Sequence, residues 1–236
     1  MAPSSLELDL RDAVSVDAAI REWQPTAIIH TAYRKDDPAS IVDATIHVVE
    51  AAERHRARLV HVSTDALFGG RDVPYRELDE PTPVNDYGRW KAEAERAVAA
   101  NAPDAVIVRT SLLFGDQQVS PHESAVHDAI EGRSTLSFFT DEIRSALVVD
   151  DLAVALVELA QRPELTGYLH LGGPEALSRA ELAIRCARRR GWNESKLSFS
   201  TAERSGLTRP ARVVLDSSLA GSHGLAVRSP SATPRL

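Results

Sequence analysis

Apolar residues along this chain follow two alternating rhythms. Between Asp12 and Trp23, the residues Val16, Ala19, Ile20 and Trp23 recur at helical spacing, with Pro25 just beyond. That pattern predicts an amphipathic helix that stops before the proline. Thr26-Ala-Ile-Ile-His30 is a short apolar run, the signature of a strand covered on both faces in a parallel sheet. A second helix is expected from Ala39 to His55, with Ile41, Thr45, Val48 and Ala52 on one face, and a second buried strand over Arg58–Ser63. Gly69, Gly70, Pro74, Pro81 and Pro83 mark a loop between Asp65 and Pro83. A helix from about Val84 to Ala100 and a strand over Ala105–Thr110 follow. Regular alternation of helix and strand predicts an α/β fold, a doubly wound Rossmann-type parallel sheet.

Past Phe114-Gly115 the rhythm loosens. Helices are expected near 122–131, 150–162 and 178–191, separated by short runs such as Leu136-Ser-Phe-Phe139 and Leu169-His-Leu171. The chain therefore divides into residues 1–115, a Rossmann-type domain, and 116–218, a smaller substrate lobe interleaved with the end of the sheet. Residues 219–236, with Gly221, Gly224, Pro230, Pro234 and several serines, are expected to be a disordered tail.

Composition narrows the function. With 236 residues, 43% of them hydrophobic, the chain can bury one large core or one core plus a small lobe. A net charge of −7 argues against non-specific nucleic-acid binding, which needs a basic field. The cluster Arg185, Arg188, Arg189 and Arg190 reads as a solvated helix face. Cys186 is the only cysteine, so no internal disulfide forms and no cysteine-based zinc site exists; it reads as a small buried hydrophobe. The opening residues lack a signal-peptide pattern, and no apolar run approaches the ~20 residues of a membrane helix. A cytoplasmic protein with no metal site is expected.

The candidate chemistry sits in Tyr87-Gly-Arg-Trp-Lys91. The i, i+4 spacing puts phenol and ammonium on one helix face, one turn apart. A nearby ammonium stabilises phenolate, so Lys91 is expected to lower the pKa of Tyr87. A phenol so tuned can give a proton to a carbonyl oxygen as hydride reaches the carbon. The plainer alternative is Tyr87 packed against a lysine stem. Ser63-Thr64-Asp65 ends a buried strand at the carboxyl edge, where open α/β sheets place their ligands. A hydroxyl there can polarise the same carbonyl; taken alone, the tripeptide reads as a strand-end cap or turn.

Longer stretches carry a resemblance. Leu59-Val-His-Val-Ser-Thr-Asp-Ala-Leu-Phe-Gly69, Pro74-Tyr-Arg-Glu77 and Pro81-Thr-Pro-Val-Asn-Asp-Tyr-Gly-Arg-Trp-Lys91 resemble the dTDP-4-dehydrorhamnose reductase branch of the extended short-chain dehydrogenases. Arg109-Thr-Ser-Leu-Leu-Phe-Gly115, Asp150-Asp-Leu-Ala153, His170-Leu-Gly-Gly173 and Arg209-Pro-Ala-Arg-Val-Val-Leu-Asp216 follow in that family's order. The resemblance implies NADP- or NAD-dependent reduction of a 4-keto sugar nucleotide. Tyr87 would be the proton donor, Lys91 would bind the nicotinamide ribose, and Thr64 would polarise the substrate carbonyl. Asp9-Leu10 resembles a pair that contacts adenine, with a helix N-cap as the equal alternative for Asp9. Thr31 and Ala32 would lie in a loop under the cofactor, while His30 reads as a satisfied strand-end histidine. Arg109, Thr110 and Ser111 would lie near the nicotinamide and the sugar. Arg144 would meet a nucleotide diphosphate, or form a surface ion pair with Asp141 or Glu142.

The sequence also departs from that family. The family opens with a strand, a glycine-rich loop and a helix that hold the cofactor pyrophosphate, yet the first glycine here is Gly69. The match starts near Leu6 in the family's third strand region, and an asparagine of the family's proton relay is absent near Ser40 and Ile41. The favoured expectation is that the sequence begins inside a longer protein; an inactive fragment and a non-catalytic regulatory or binding subunit are the alternatives, as is a sugar-nucleotide epimerase or dehydratase. Weak NADP or NAD binding is expected for these residues. So is an exposed sheet edge at Thr26–His30, closed by the stretch near Leu6–Leu10 or by a second copy in a homo-oligomer.

Overall fold

The computed structural model describes residues 2–115, 119–206 and 209–231. Helix α1 (Ala13–Trp23) starts where the Asp12 side chain accepts from the Val14 backbone N–H, and ends at Gln24 in a left-handed conformation. Strand β1 (Ala27–His30) follows, then α2 (Pro38–His55), capped by Asp37, then β2 (Arg58–Thr64). After a short 3-10 turn over Asp65–Leu67 come α3 (Asp86–Asn101) and β3 (Val106–Thr110). The second half holds β4 (Leu113–Phe114), α4 (Pro121–Ile130), β5 (Ser137–Phe139), β6 (Ile143–Arg144), β7 (Leu147–Val148) and α5 (Val149–Ala160). It continues with β8 (Gly167–Leu171), β9 (Leu177–Ser178), α6 (Arg179–Arg190), β10 (Ser198–Ser200), β11 (Arg212–Val213) and α7 (Ser218–Ser222).

The main sheet is parallel throughout, with strand order β1-β2-β3-β8. Successive side chains of a strand point to opposite faces, so each strand feeds two cores. Leu59 and Ile107 pack with Val16, Ile20 and Val48 under α1 and α2. Val60, Val106, Val108 and Leu169 pack with Leu152, Leu156 and Leu159 of α5 on the other face. That is the doubly wound α/β arrangement. The lobe has its own core, in which Phe114, Val126, Ile130, Leu177, Leu182 and Cys186 join α4 to α6. Cys186 is buried there, and burial pushes its thiol up to about 12.

Three expectations are corrected, wholly or in part. β1 takes the sheet-edge position expected for Thr26–His30, with β2 as its partner, but the cover on both faces expected of that run is incomplete, since Ala27, Ile28 and Ile29 are only partly buried. The stretch near Leu6–Leu10 does not pair with it; Leu8 and Leu10 lie against the α1–α2 core instead. The segment from residue 219, expected to be disordered, is held by packing. Ala220 and Leu225 are buried in the α5 core, the Arg228 carbonyl accepts from the Val148 N–H at 3.0 Å, and Arg228 pairs with Asp151. Its serines and glycines hid three apolar anchors, Ala220, Leu225 and Val227. Residues 232–236 lie outside the described residues.

Helix α3 sits hard against the turn after β2. A Cβ built on Gly88 would lie 2.4 Å from the Ala66 carbonyl oxygen and 2.9 Å from Pro83 Cβ. Only a residue without a side chain permits that approach. Gly88→Ala is therefore expected to cost about 1–3 kcal/mol, read as a drop in the urea midpoint. An unchanged midpoint would show that α3 is free to lift away.

A layer of buried histidines lies on the α2–α3 side of the sheet. His30 Nε2 meets Thr45 Oγ1 at 3.1 Å, and the Thr45 hydroxyl donates to the Ile41 carbonyl at 2.6 Å, so His30 Nε2 carries the proton. His61, 5.3 Å away between ring centroids, has no hydrogen-bond partner on either nitrogen. Burial holds His30 down to about 3 and His61 well below its ordinary value of 6.5. Both are neutral in the folded state. Below about 6.5 the unfolded chain takes up protons that the folded chain refuses, so stability falls as pH drops from there toward 3. His61→Leu should flatten that acid limb in urea midpoints measured against pH; an unaltered slope would mean His61 is not buried neutral.

Candidate active site

The carboxyl ends of β1 and β2 and the first turn of α3 meet at one place. Asn85 caps α3 by accepting from the Gly88 N–H at 2.9 Å, which sets Tyr87 in the first turn and Lys91 one turn later. Thr64, the last residue of β2, accepts from the Ala66 N–H at 3.1 Å, which leaves its hydroxyl hydrogen to the Tyr87 side. Lys91 is buried, and its Nζ donates to the Val62 carbonyl at 2.8 Å, one residue past the end of the β1–β2 ladder. The structure thus brings Thr64, Tyr87 and Lys91 together at the strand ends.

The electrostatics differ from the sequence expectation. Burial, together with Tyr33, holds the Tyr87 phenol well above the ordinary phenol range, and a hydrogen bond with Thr64 offsets part of this. The Lys91 ammonium is turned to the Val62 carbonyl, and the net shift of Tyr87 is upward. Burial brings Lys91 itself down to about 8, with Glu95 opposing the shift. Tyr87 is therefore a neutral phenol at pH 7.

Tyr33 is a contributor that sequence reasoning missed. It follows His30-Thr-Ala32 directly, its ring lies 5.7 Å from that of Tyr87, and Lys91 Nζ stands 5.8 Å from its centroid. Asp65 forms the floor beside Thr64. It is buried, accepts from the Ser111 hydroxyl at 2.5 Å, and faces Arg144 Nε at 3.9 Å. Burial raises its pKa against the pull of Arg144 and Ser111.

The other expected residues scatter. Ser111 reaches the site through Asp65. Thr110 lies buried in β3 and donates its hydroxyl to the Leu171 carbonyl. Arg109 faces the opposite way, under the sheet, where its guanidinium holds Glu95 at 2.8 Å and the Glu77 carbonyl at 2.9 Å, with Tyr168 below it. It braces α3 to β3 and does not join the site. Arg144 is buried rather than at the surface, paired with Glu142 at 3.4 Å and donating to the Ile143 and Pro210 carbonyls. Asp9 is exposed and chelated by Arg11, and the α1 cap is Asp12, not Asp9. The Leu10 carbonyl meets His47 Nδ1 at 3.0 Å. Thr31 and Ala32 are exposed in the loop leaving β1. Among the described residues no three His, Cys, Asp or Glu side chains gather to hold a metal, and no helix is long and apolar enough to cross a membrane.

Comparison with known proteins agrees with the fold. The family of the RmlD substrate binding domain matches residues 1–230. Methionine adenosyltransferase 2 subunit beta of Xenopus tropicalis is 32% identical over 242 residues, which span 94% of this chain and 72% of that protein. A dTDP-4-dehydrorhamnose reductase of Mycolicibacterium smegmatis is 35% identical over 129 residues, 54% of this chain and 39% of its own length. The crystal structure of dTDP-4-dehydrorhamnose reductase from Bacillus anthracis, in complex with NADP, superposes with a TM-score of 0.85 at 25% identity and covers 98% of this chain and 85% of that one. That from Clostridium acetobutylicum gives 0.87 at 23% identity, covering 98% and 86%. The chain belongs to the RmlD substrate binding domain family, in the extended short-chain dehydrogenase/reductase branch.

Proposed function

We propose that this site reduces a carbonyl on a 4-keto sugar nucleotide, or a related carbonyl, with NADP(H) or NAD(H). The observation that carries the reading is the meeting of Thr64, Tyr87 and Lys91 at the carboxyl end of the sheet. A reduced nicotinamide would supply hydride to the carbonyl carbon. The Thr64 hydroxyl, turned from Tyr87 to the substrate, would polarise the carbonyl oxygen. Tyr87, kept neutral by burial, would give that oxygen its proton. Lys91 would hold the nicotinamide ribose with the donors left after its bond to Val62.

The residues present fit one end of such a cofactor. At the ribose end, Lys91 is in place and Thr31 and Ala32 offer an open loop beside it. At the other end, no glycine-rich turn precedes a helix beside β1 among the described residues to hold the pyrophosphate, and the Asp9 carboxylate expected at the adenine is taken by Arg11. Binding by these residues alone is accordingly expected to be weak.

A second reading is favoured by one observation, the match to methionine adenosyltransferase 2 subunit beta over 94% of the chain. In that reading the chain is a regulatory or binding subunit, and the buried tyrosine serves packing. Tyr87→Phe separates the two. Carbonyl reduction measured at millimolar NADPH should fall about 10²–10⁴-fold, with NADPH affinity changed less than about twofold. Turnover close to that of the unmutated chain would remove Tyr87 from the chemistry. A chain without turnover that forms a stable complex with a methionine adenosyltransferase catalytic subunit would favour the second reading.

A further inference from the structure

Tyr87 has one neighbour that the proposed chemistry leaves idle. Tyr33, on the loop leaving β1, lies with its ring 5.7 Å from that of Tyr87 and tilted by 37°. Tyr33 is 51% exposed, whereas Tyr87 is partly buried. The two hydroxyls interact through a hydrogen bond, and its effect gives its direction. It raises the Tyr87 pKa, as expected when the Tyr87 O–H donates and Tyr33 accepts. Thr64 acts the opposite way, as a donor to the Tyr87 oxygen. The hydroxyls therefore form a chain that runs from Thr64 through Tyr87 to Tyr33 and ends at solvent.

No comparable route leads inward. On the helix side Tyr87 packs with Ile41, Val42 and Ala94, which carry no proton. Lys91 Nζ donates to the Val62 carbonyl, which cannot pass a proton on. His30 Nε2 donates to Thr45, but the Thr45 hydroxyl donates to the Ile41 carbonyl, and there that chain stops. His61 has no partner on either nitrogen. Tyr33, by contrast, has solvent on one side and a cation on the other. Lys91 Nζ stands 5.8 Å from its ring centroid, and a nearby ammonium favours a phenolate.

We infer that Tyr33 returns to Tyr87 the proton that Tyr87 gives away. The inference rests on the proposed reading that the site reduces a carbonyl. As hydride reaches the carbonyl carbon, the Tyr87 O–H bond breaks and its proton passes to the carbonyl oxygen. An alcohol and a Tyr87 phenolate result. The Tyr33 O–H bond then breaks in turn, its proton restores the Tyr87 phenol, and the half-exposed Tyr33 phenolate takes a proton from solvent. Each turnover consumes one hydride and one solvent proton. Tyr33 acts through Tyr87 and is a positioning residue: it holds the Tyr87 proton before the reaction and supplies its replacement afterwards.

The test compares the unmutated chain with Tyr33→Phe, which keeps the ring and removes only the hydroxyl. Both are given millimolar NADPH and a dTDP-4-keto-6-deoxy sugar. With protein in excess over the sugar, each Tyr87 gives its proton once, and Tyr33→Phe should match the unmutated rate. With sugar in excess it should turn over about 10–100-fold more slowly, short of the full loss of a general acid because water partly substitutes. Added imidazole, a small proton carrier, should restore most of that turnover and should not rescue Tyr87→Phe. Carbon-13 NMR of Cζ-labelled tyrosine should show the Tyr87 resonance displaced in Tyr33→Phe, since its hydroxyl has lost an acceptor. Unaltered turnover by Tyr33→Phe with sugar in excess would overturn the inference, as would an unmoved Tyr87 resonance. Equal slowing in both regimes, insensitive to imidazole, would mark Tyr33 as a structural residue and overturn it too. An unmutated chain that reduces no carbonyl would sink the reductase reading and the relay with it, whereas full turnover without the Tyr33 hydroxyl sinks the relay alone.

Discussion

The close seating of α3 on the turn after β2 is the constraint from which the site follows. Tyr87 and Lys91 ride on the first two turns of that helix, and their distance from Thr64 is set by how far the helix can descend. Gly88 lets it descend to the Ala66 carbonyl. Asn85 fixes where the helix begins, and the Arg109–Glu95 pair holds its middle to β3 from below. That pair is buried on both sides, so either partner alone would be an uncompensated charge. Backbone contact, cap and ion pair together leave α3 little freedom to move.

The same seating explains the unusual polarity beneath the sheet. A helix that brings Lys91 to the strand ends must bury its ammonium, and the Val62 carbonyl beyond the end of β1 is what receives it. His30 and His61 share that layer and stay neutral beside the lysine. His61 is left without partners on either ring nitrogen and Ser63 without one on its hydroxyl. Unsatisfied buried groups of this kind cost stability, and they cluster here next to the residues that chemistry would use.

Much of the fold was legible because its signals are local. Helical spacing in α1, α2 and α3, and the apolar runs of β2 and β3, each satisfy a period that a few residues reveal. The i, i+4 step of Tyr87 and Lys91 belongs to the same class. What was not legible depends on partners far away in sequence. The apolar run of β1 has the same look at an edge as in the middle of a sheet, so its edge position was expected from the family resemblance and not from Ala27–His30 alone. Arg109 sits in a motif that looked functional, yet strand alternation turned it to the α3 face and to Glu95. Lys91 was expected to lower the pKa of Tyr87, but burial of both groups outweighs a charge that points at a carbonyl.

The central claim is that α3 seats Tyr87 under cover beside Thr64, where its phenol stays protonated. Carbon-13 NMR of Cζ-labelled tyrosine, titrated with pH and assigned through Tyr87→Phe, reads that protonation directly. The account predicts that the Tyr87 resonance stays in its phenol position through and beyond the ordinary value of 10.0, until the protein unfolds. A Tyr87 that titrates below that value in the folded chain would contradict it, and would restore Lys91 as the group that sets its acidity.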